Sequence, residues 1–253
     1  MKYYYDLHIH TALSPCGDND MTPNNIINMA LLKGLDMIAV TDHNACHNAG
    51  AVMEMGARRQ IIVVPGLEVE SVEEVHIVTL FPDLETAEKM GERVAQHLPP
   101  VENREEIFGE ELILNSQDEE TGRLQQLLIV ATELTVEEIF QAATELGGVA
   151  FPAHVDRDSY SIVSNLGGIP DDLDVSMIEL SANCDAESFF DNYPGLRDYP
   201  VLRDSDAHYL WDMSERCNYI STEDQIRDAG SLIQLLKGPA DRYTIGAEES
   251  PLI

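Results

Sequence analysis

The chain has 253 residues, 44% of them hydrophobic, which is enough to bury the core of one large domain or two small ones. Its 15 basic and 46 acidic residues give a formal net charge of −31, and a field of this sign repels polyanions and anionic membranes. Long nucleic acid is therefore a disfavoured partner, and an aromatic content of 6% with a single tryptophan argues against an aromatic platform for bases.

The cysteines and the hydrophobic runs bear on the cellular compartment. The four cysteines form neither a CxxC pair nor a zinc-finger spacing. The N-terminal run MKYYYDLHIHT is interrupted by Asp6 and His8, so it does not match the apolar core of a signal peptide. No apolar run is long enough to span a membrane. We therefore expect a cytoplasmic, reduced protein without a membrane partner.

Short β-rich segments alternate with helical segments along the first hundred residues. The run YYYDLHI at 3–9 predicts the first strand. A helix is predicted over 22–34, with Thr22 as its N-cap, Pro23 in its first turn and Gly34 at its end. The further predicted elements are strands at 36–41, 61–65 and 74–81 and helices at 48–58 and 84–97.

The alternation continues in the second half of the chain. Thr135 and Glu138 form a capping box that predicts a helix over 135–146. The alternation of strands with helices predicts a parallel sheet, and the repeated return of short strands favours a closed barrel. The later predicted elements are strands at 149–153, 176–181 and 200–204 and a helix at 229–238.

Residues 99–130 break this pattern because they are acidic and rich in turn residues. We interpret them as an insertion, either a hairpin or a lid, within a single domain that spans residues 1–253.

Histidines and carboxylates recur at the ends of the predicted strands. His8 and His10 alternate, so both side chains point to the same face of the first strand, and Asp6 lies two residues earlier on that face. Six of the eight histidines lie at or within predicted strands, most of them at carboxyl ends, and the carboxyl end of a barrel is where active sites assemble. Mixed imidazole and carboxylate groups suit Zn²⁺, Mn²⁺ or Fe²⁺ rather than Mg²⁺ alone. The other groups at or within strands are Thr41-Asp42-His43-Asn44, Glu68, His76, His154 and Asp206-Ala207-His208.

In this order, and together with Asp6-Leu7-His8-Ile9-His10-Thr11, these groups resemble the four motifs of the PHP (polymerase and histidinol phosphatase) family. The resemblance implies a distorted (β/α)7 barrel with two or three divalent metal ions at its carboxyl face. The first metal would be bound by His8, His10, Glu68 and Asp206. Glu68 would bridge to a second metal bound by His76 and His154, and His43 and His208 would hold a third.

The last ligand of the third metal is expected in the loop after the first strand, which reads Ser14-Pro15-Cys16-Gly17-Asp18-Asn19-Asp20. Asp18 is the predicted ligand, since it is ionised at neutral pH and follows a flexible glycine. Cys16 is a softer alternative that would favour zinc, and Asp20 also remains open.

Metal ions at such a site predict hydrolysis of a phosphoric ester by activated water, without a serine or cysteine nucleophile. His43 or His208 would lie near the leaving group. Asp42 either orients an imidazole or makes a structural hydrogen bond. Arg157 and Arg203 are candidate phosphate-binding residues, each with an ordinary ion pair as the alternative.

The net charge favours a small phosphomonoester or nucleotide as the substrate. The alternatives are a nuclease that acts on oligonucleotide ends and a non-catalytic metal-binding module. The oligomeric state is left open.

Overall fold

The computed structural model describes residues 1–248 and has the mixed α/β architecture that the alternating pattern predicts. Residues 249–253 of the predicted single domain lie outside the described residues. Within residues 1–248, no helix is long and apolar enough to cross a membrane. The strands are β1 (Lys2–Ile9), β2 (Met37–Val40), β3 (Ile62–Glu70), β4 (His76–Leu80), β5 (Leu112–Leu114), β6 (Glu120–Arg123), β7 (Val149–Pro152), β8 (Ile178–Ser181), β9 (Val201–Asp204), β10 (Asn218–Thr222) and β11 (Tyr243–Ala247). The α-helices are α1 (Pro23–Lys33), α2 (Ala49–Arg59), α3 (Leu84–Ala95), α4 (Glu105–Phe108), α5 (Val136–Glu145), α6 (Ile162–Leu166), α7 (Ala186–Asn192) and α8 (Ala229–Leu236).

Seven strands form one curled sheet in the order β11-β10-β1-β2-β3-β4-β7. Strands β1, β2 and β3 are parallel, as predicted, but β4 runs antiparallel to both β3 and β7. The prediction of a parallel sheet is therefore wrong for β4, and also for β10, which runs antiparallel to β1 and β11. For β4 the reason is the connection, because only residues 71–75 separate β3 from β4, whereas a parallel crossover needs about a dozen residues or more.

A second pair of strands, β8 and β9, is parallel and lies between β7 and β1. On one side, the N–H of Val155, after β7, donates to the carbonyl of Glu179 in β8 at 2.9 Å. On the other side, Ile9 of β1 forms a parallel bridge with Ala207, just after β9. The pair thus extends the half-barrel back toward β1, and the carboxyl ends of β1, β7 and β9 meet at one edge.

The five predicted helices begin and end within two residues of their predicted bounds, whereas the short helices α4, α6 and α7 are not among the predictions. The side chain of Thr22 caps α1, and Gly34 ends it with a left-handed φ of 71°, which favours glycine. Thr135 and Glu138 form both hydrogen bonds of the predicted capping box at the start of α5. Helices α1, α2, α3 and α5 pack in one apolar cluster with the sheet, and α8 packs in a second. Both faces of the sheet are therefore covered, which leaves the strand ends for a site.

Residues 99–130 contain α4 and a two-stranded antiparallel hairpin, β5–β6. The hairpin is attached to the loop after β1, since Leu112 N–H donates to the carbonyl of Ala12 at 2.9 Å. Asn48 fixes the same strand: its Oδ1 accepts from Leu114 N–H at 2.8 Å, and its Nδ2 donates to the Leu112 carbonyl at 2.9 Å. The hairpin therefore lies against the loop that leads out of the first histidine strand.

Candidate metal centre

Two imidazoles and two carboxylates converge on one point at the end of β1. The Nε2 atoms of His8 and His10 lie 3.3 Å apart. Oδ1 of Asp206 lies 3.3 Å from Nε2 of His8 and 3.0 Å from Nε2 of His10. Oε1 of Glu68 lies 3.3 Å from Nε2 of His8, and Oε2 of Glu68 lies 3.4 Å from Nε2 of His10. Ligand atoms around a tetrahedral ion with bonds of about 2.0–2.1 Å are about 3.3 Å apart, so this group fits a divalent metal.

The hydrogen bonds of the two imidazoles leave their Nε2 atoms free for a metal. Nδ1 of His8 lies 2.9 Å from Oε2 of Glu179, and a carboxylate can only accept, so the proton is on Nδ1. Nδ1 of His10 lies 2.9 Å from Oγ of Ser14, whose hydroxyl donates to Asp42 at 2.7 Å. Because that hydroxyl proton is already used, Nδ1 of His10 is also the donor. Both neutral tautomers therefore present an Nε2 lone pair to the shared point.

Glu68 also belongs to a second group of imidazoles. Its Oε1 lies 2.9 Å from Nδ1 of His76 and 3.2 Å from Nε2 of His154. Its Oε2 lies 3.0 Å from Nδ1 of His43. Because one buried carboxylate faces both groups, it has the position that a bridging ligand requires.

A third group consists of His10, His43 and His208, whose ligand nitrogens lie within 4.8 Å of one another. Asp18 lies next to this group, because its backbone N–H donates to the carbonyl of His208 at 2.9 Å, but its carboxylate is not among the clustered ligand atoms. Its Oδ1 accepts a 2.8 Å hydrogen bond from the backbone N–H of Asp20. The two alternatives to Asp18 in this loop, Cys16 and Asp20, are both exposed. The structure thus brings the other eight predicted ligands together and leaves the loop ligand as a prediction.

The pKa values of the clustered groups shift in two directions. Burial lowers the pKa values of His8 and His76, but nearby carboxylates outweigh it. They raise the pKa of His8 well above its usual 6.5 and that of His76 to about 9. Burial raises the pKa of Glu68, but the surrounding imidazoles hold it well below its usual value. Burial and neighbouring positive charge lower the pKa of His43 to about 4 and that of His208 to about 3. In the metal-free protein, protons on His8 and His76 therefore supply positive charge that a metal would bring.

Three buried atoms at the cluster make no hydrogen bond within residues 1–248: Oε2 of Glu68, Nδ1 of His154 and Oδ1 of Asp206. A buried polar atom without a partner costs about 1–3 kcal/mol. The two carboxylate oxygens face the imidazole nitrogens of the first group, where a cation would satisfy them. This pattern supports the fit of metal ions to these residues.

Two of the clustered residues have left-handed backbones, His154 with a φ of 29° and Asp206 with a φ of 51°. Such conformations are uncommon for residues other than glycine and cost on the order of 1–3 kcal/mol. They persist where the surrounding structure holds them, and they cluster at functional sites. Both residues lie just beyond strand ends, next to the converging ligands.

Asp42 does not contact an imidazole directly. Its Oδ1 accepts hydrogen bonds from Thr11 N–H and Ser14 Oγ, each at 2.7 Å, and its Oδ2 accepts from Thr11 Oγ1 at 2.8 Å. Ser14 in turn accepts from His10 and from the N–H of His43 at 3.2 Å. Asp42 therefore orients His10 through a serine hydroxyl that sequence reasoning did not single out.

Glu179 is a second residue that sequence reasoning missed. It is fully buried in β8, where Oε2 faces His8 and Oε1 accepts from the N–H of His154 at 3.0 Å. One carboxylate thus links a histidine of the first group to one of the second. The available signal was an acid inside the apolar run SMIELS, because a buried charge needs a partner.

The two candidate phosphate-binding arginines lie in different surroundings. Nη1 of Arg157 lies 2.8 Å from Oδ2 of Asp206, so the guanidinium is adjacent to the first ligand group. The guanidinium of Arg203 instead donates to the carbonyls of Cys184, at 3.0 and 3.1 Å, and Ala182, at 3.4 Å. Arg157 is thus brought to the cluster, whereas Arg203 is held by the loop after β8.

The amino-acid sequence matches a known protein family and one curated protein over part of its length. A family model described as the PHP domain matches residues 6–129. An uncharacterized protein of Methanocaldococcus jannaschii is 31% identical over 110 residues, which is 40% of this chain and 59% of that protein. The residues that match the PHP domain model include the loop after β1, Asp42, His43, Glu68 and His76.

Solved structures share the fold across nearly the whole chain. The lesion-specific endonuclease PfuEndoQ of Pyrococcus furiosus aligns with a TM-score of 0.69 at 21% identity, over 97% of this chain and 58% of that one. A Bifidobacterium adolescentis protein provisionally described as a metal-dependent phosphoesterase aligns with a TM-score of 0.57 at 17% identity, over 94% of this chain and 97% of that one. At these identities the likeness establishes the fold alone. The chain spans less than two thirds of the length of the M. jannaschii relative and of the endonuclease.

Proposed function

Because the chain belongs to the PHP domain family, with the match at residues 6–129, we propose that it is a metal-dependent hydrolase of phosphoric esters. The observation that carries this proposal is the position of Glu68. Its Oε1 and Oε2 face the first ligand group at 3.3 and 3.4 Å, and Oε1 also faces the imidazoles of His76 and His154 at 2.9 and 3.2 Å. A buried carboxylate between two sets of imidazoles is suited to join two metal ions.

In this proposal, His8, His10, Glu68 and Asp206 hold the first ion. Glu68, His76 and His154 hold the second, and His43 and His208 hold a third with Asp18 or another residue of its loop. Zinc, manganese and iron are the candidates, because the ligands are imidazoles and carboxylates. When bound, such ions polarise the phosphate and make water a stronger nucleophile at neutral pH.

The protein groups at the rim would help to bind metal and phosphate. His43 and His208 have lowered pKa values of about 4 and about 3, so both imidazoles are neutral at pH 7 and have a lone pair free to bind a metal. Nδ1 of His208 lies 2.9 Å from the carbonyl of Asp206, so its Nε2 is the free nitrogen. Arg157 would hold a phosphate oxygen beside Asp206. Asp42 would keep His10 in its metal-binding tautomer through Ser14.

We further propose that the strands complete a distorted (β/α)7 barrel in one domain, with 99–130 as an insertion, in a cytoplasmic protein. The net charge of −31 favours a small phosphorylated substrate or nucleotide. A phosphodiester is the second candidate, since two separate cavities flank Arg157 and could receive the two organic groups of a diester.

The test is a hydrolysis panel with added Mn²⁺, Zn²⁺ or Fe²⁺, using p-nitrophenyl phosphate, bis(p-nitrophenyl) phosphate, nucleotides and short oligonucleotides. His10→Ala should lose at least about 100-fold of the activity and part of the bound metal, because a ligand of the first ion is removed. His47→Ala is the matched control, because this exposed histidine lies outside the three ligand groups and should leave activity unchanged.

Two outcomes would overturn the proposal. Equal activity in the wild type and the His10→Ala variant would exclude catalysis at this cluster. A protein that binds two or more metal equivalents and hydrolyses nothing in the panel would be a metal-binding module.

A further inference from the structure

Tyr160 has a backbone conformation that is unfavourable for a tyrosine. It lies in the loop between β7 and α6 with a left-handed φ of 55°, which favours glycine over a bulky side chain. Burial of the ring does not offset this strain, because 46% of the residue is exposed to solvent. Strained backbones of this kind cluster at functional sites, where the surrounding structure holds them. Tyr160 is therefore a candidate for a role in the metal centre rather than in the core.

The ring of Tyr160 stacks on a histidine of the second ligand group. Its centroid lies 4.9 Å from that of the His76 imidazole, and the interplanar angle is 25°. The imidazoles of His43 and His154 meet His76 at 63° and 65°, so of these three rings only the tyrosine lies nearly parallel to it. Because the χ2 torsion of histidine has only broad preferences, a stacked ring limits how far the imidazole can rotate.

The two imidazoles that face Glu68 are restrained in different ways. Nδ1 of His8 lies 2.9 Å from Oε2 of Glu179, on the side away from the ligand group. The corresponding outer nitrogen of His76 is Nε2, which lies 3.8 Å from Oε2 of Glu70 and is too far away for a hydrogen bond. An attraction over this distance does not fix the direction of a ring as a short hydrogen bond does. The stacked tyrosine therefore supplies at His76 the restraint that a carboxylate supplies at His8.

Backbone hydrogen bonds hold the tyrosine over this imidazole. The N–H of His76 donates to the carbonyl of Tyr160 at 3.0 Å, so the main chains of the two residues are joined. Ser161, the next residue, is the N-cap of α6, and its hydroxyl donates to the carbonyl of Arg157 at 2.7 Å. The chain on both sides of Tyr160 is thus anchored, which explains how the strained φ persists and why the ring stays on His76.

We propose that Tyr160 is a positioning residue for the second ion, a role that rests on the metal-dependent hydrolysis proposed above. Its ring holds the imidazole of His76 so that Nδ1 stays directed toward Oε1 of Glu68, 2.9 Å away. Glycine at this position would relieve the backbone strain but remove the ring. Binding of the second ion and stability of the metal-free fold should therefore respond differently when Tyr160 is replaced by glycine.

The first experiment compares the stability of Tyr160→Gly with that of Gln60→Gly, without metal. Gln60 has a similar left-handed φ of 62°, but it is exposed at the end of α2 and lies outside the three ligand groups. Both glycine variants should unfold at a urea concentration equal to or above that of the wild type, because each relieves the same kind of strain.

The second experiment measures metal binding by isothermal titration calorimetry with Mn²⁺. Tyr160→Gly should bind one equivalent about 10- to 100-fold more weakly than the wild type, and this should be the equivalent that His76→Gln loses. Tyr160→Leu, which has bulk but no planar ring, should show the same weakening. Tyr160→Phe retains the ring and should bind as the wild type does, as should Gln60→Gly. If Tyr160→Gly lowers the urea midpoint and leaves both affinities unchanged, the stack is only structural and the positioning role is excluded.

Hydrolysis separates this inference from the proposed function. In Tyr160→Gly, the Mn²⁺ concentration that gives half-maximal hydrolysis of p-nitrophenyl phosphate or bis(p-nitrophenyl) phosphate should rise about 10- to 100-fold. The KM for the ester at saturating Mn²⁺ should stay that of the wild type, because the ring acts through His76. If the wild type hydrolyses an ester and Tyr160→Gly needs no more Mn²⁺, the positioning role is excluded and the hydrolase proposal stands. If the wild type hydrolyses neither ester, the hydrolase proposal fails, and selective weakening of the second equivalent would still support the positioning role.

Discussion

Oε2 of Glu179 lies 2.9 Å from Nδ1 of His8, and both side chains are fully buried. The contact holds the proton of His8 on Nδ1 and turns Nε2 toward His10, Glu68 and Asp206. Histidine ligands of metals are commonly held by a carboxylate in this way, which fixes the ring and raises its basicity. Glu179 is therefore expected to act on the metal site without touching a metal.

The substitution Glu179→Gln should weaken metal binding about 10- to 100-fold, because a neutral amide supports the His8 imidazole less well than a carboxylate. Competition with a chromogenic chelator would measure the affinity. Glu137→Gln, an exposed change in the first turn of α5, is the matched control and should bind metal as the wild type does. Unchanged affinity in Glu179→Gln would mean that the contact with His8 is only structural.

Much of the candidate site could be predicted because its residues follow strands. His8, His154 and Asp206 lie at strand ends, and the carboxyl ends of neighbouring strands meet in space, so chain position alone predicts proximity. Glu179 lies inside a strand, where no spacing to another ligand type marks it. The direction in which the Arg203 side chain points depends on the carbonyls of the loop after β8, and the sequence pattern does not reveal these contacts.

The fold could be predicted in its alternation but not in every strand direction. The caps of α1 and α5 are local, so Thr22 and Thr135 mark them in the sequence. The direction of β4 depends on a connection of residues 71–75, whose length excludes a crossover helix. That length was readable from the sequence, whereas the pairing of β8 with β9 beside β1 required the folded chain.

Ser14→Ala should leave the imidazole of His10 less firmly oriented. The hydroxyl accepts from Nδ1 of His10 and donates to Asp42, so its loss leaves the His10 tautomer unfixed. We expect metal affinity to fall about 10- to 100-fold, measured by isothermal titration calorimetry. Ser188→Ala, an exposed change on α7, should have no effect. If both serine variants bind metal equally well, Asp42 does not act through Ser14.

The metal-free protein should lose stability as the pH rises above neutrality. Glu68 raises the pKa of His76 to about 9 in the folded chain, against 6.5 for the ordinary imidazole, although burial opposes the shift. The folded state therefore binds this proton more tightly, so the stabilisation is fully present below about pH 6.5 and is lost as the pH rises through about 9. The loss should be up to about 3 kcal/mol in the free energy of unfolding.

Urea denaturation with a chelator present, at pH 6.5 and pH 9.5, would measure this loss. His76→Gln should show a smaller decrease than the wild type, because it has no proton to lose at this position. The remaining decrease would come from His8 and His10, whose pKa values neighbouring carboxylates also raise, against the effect of burial. The same decrease in both proteins would exclude His76 as its source.

The two arginines singled out in the sequence should differ when each is changed to lysine. Arg157 contacts Asp206 beside the ligand group. Arg157→Lys should therefore raise KM for bis(p-nitrophenyl) phosphate about 10-fold, because an ammonium cannot bind two phosphate oxygens in the bidentate way that a guanidinium can. Arg203 donates to the carbonyls of Cys184 and Ala182, so Arg203→Lys should keep the KM and lower the free energy of unfolding by about 1–2 kcal/mol. Steady-state kinetics and urea denaturation of both variants would test the contrast. The reverse pattern would place the phosphate contact at Arg203, because only a group that meets the substrate changes KM while stability is retained.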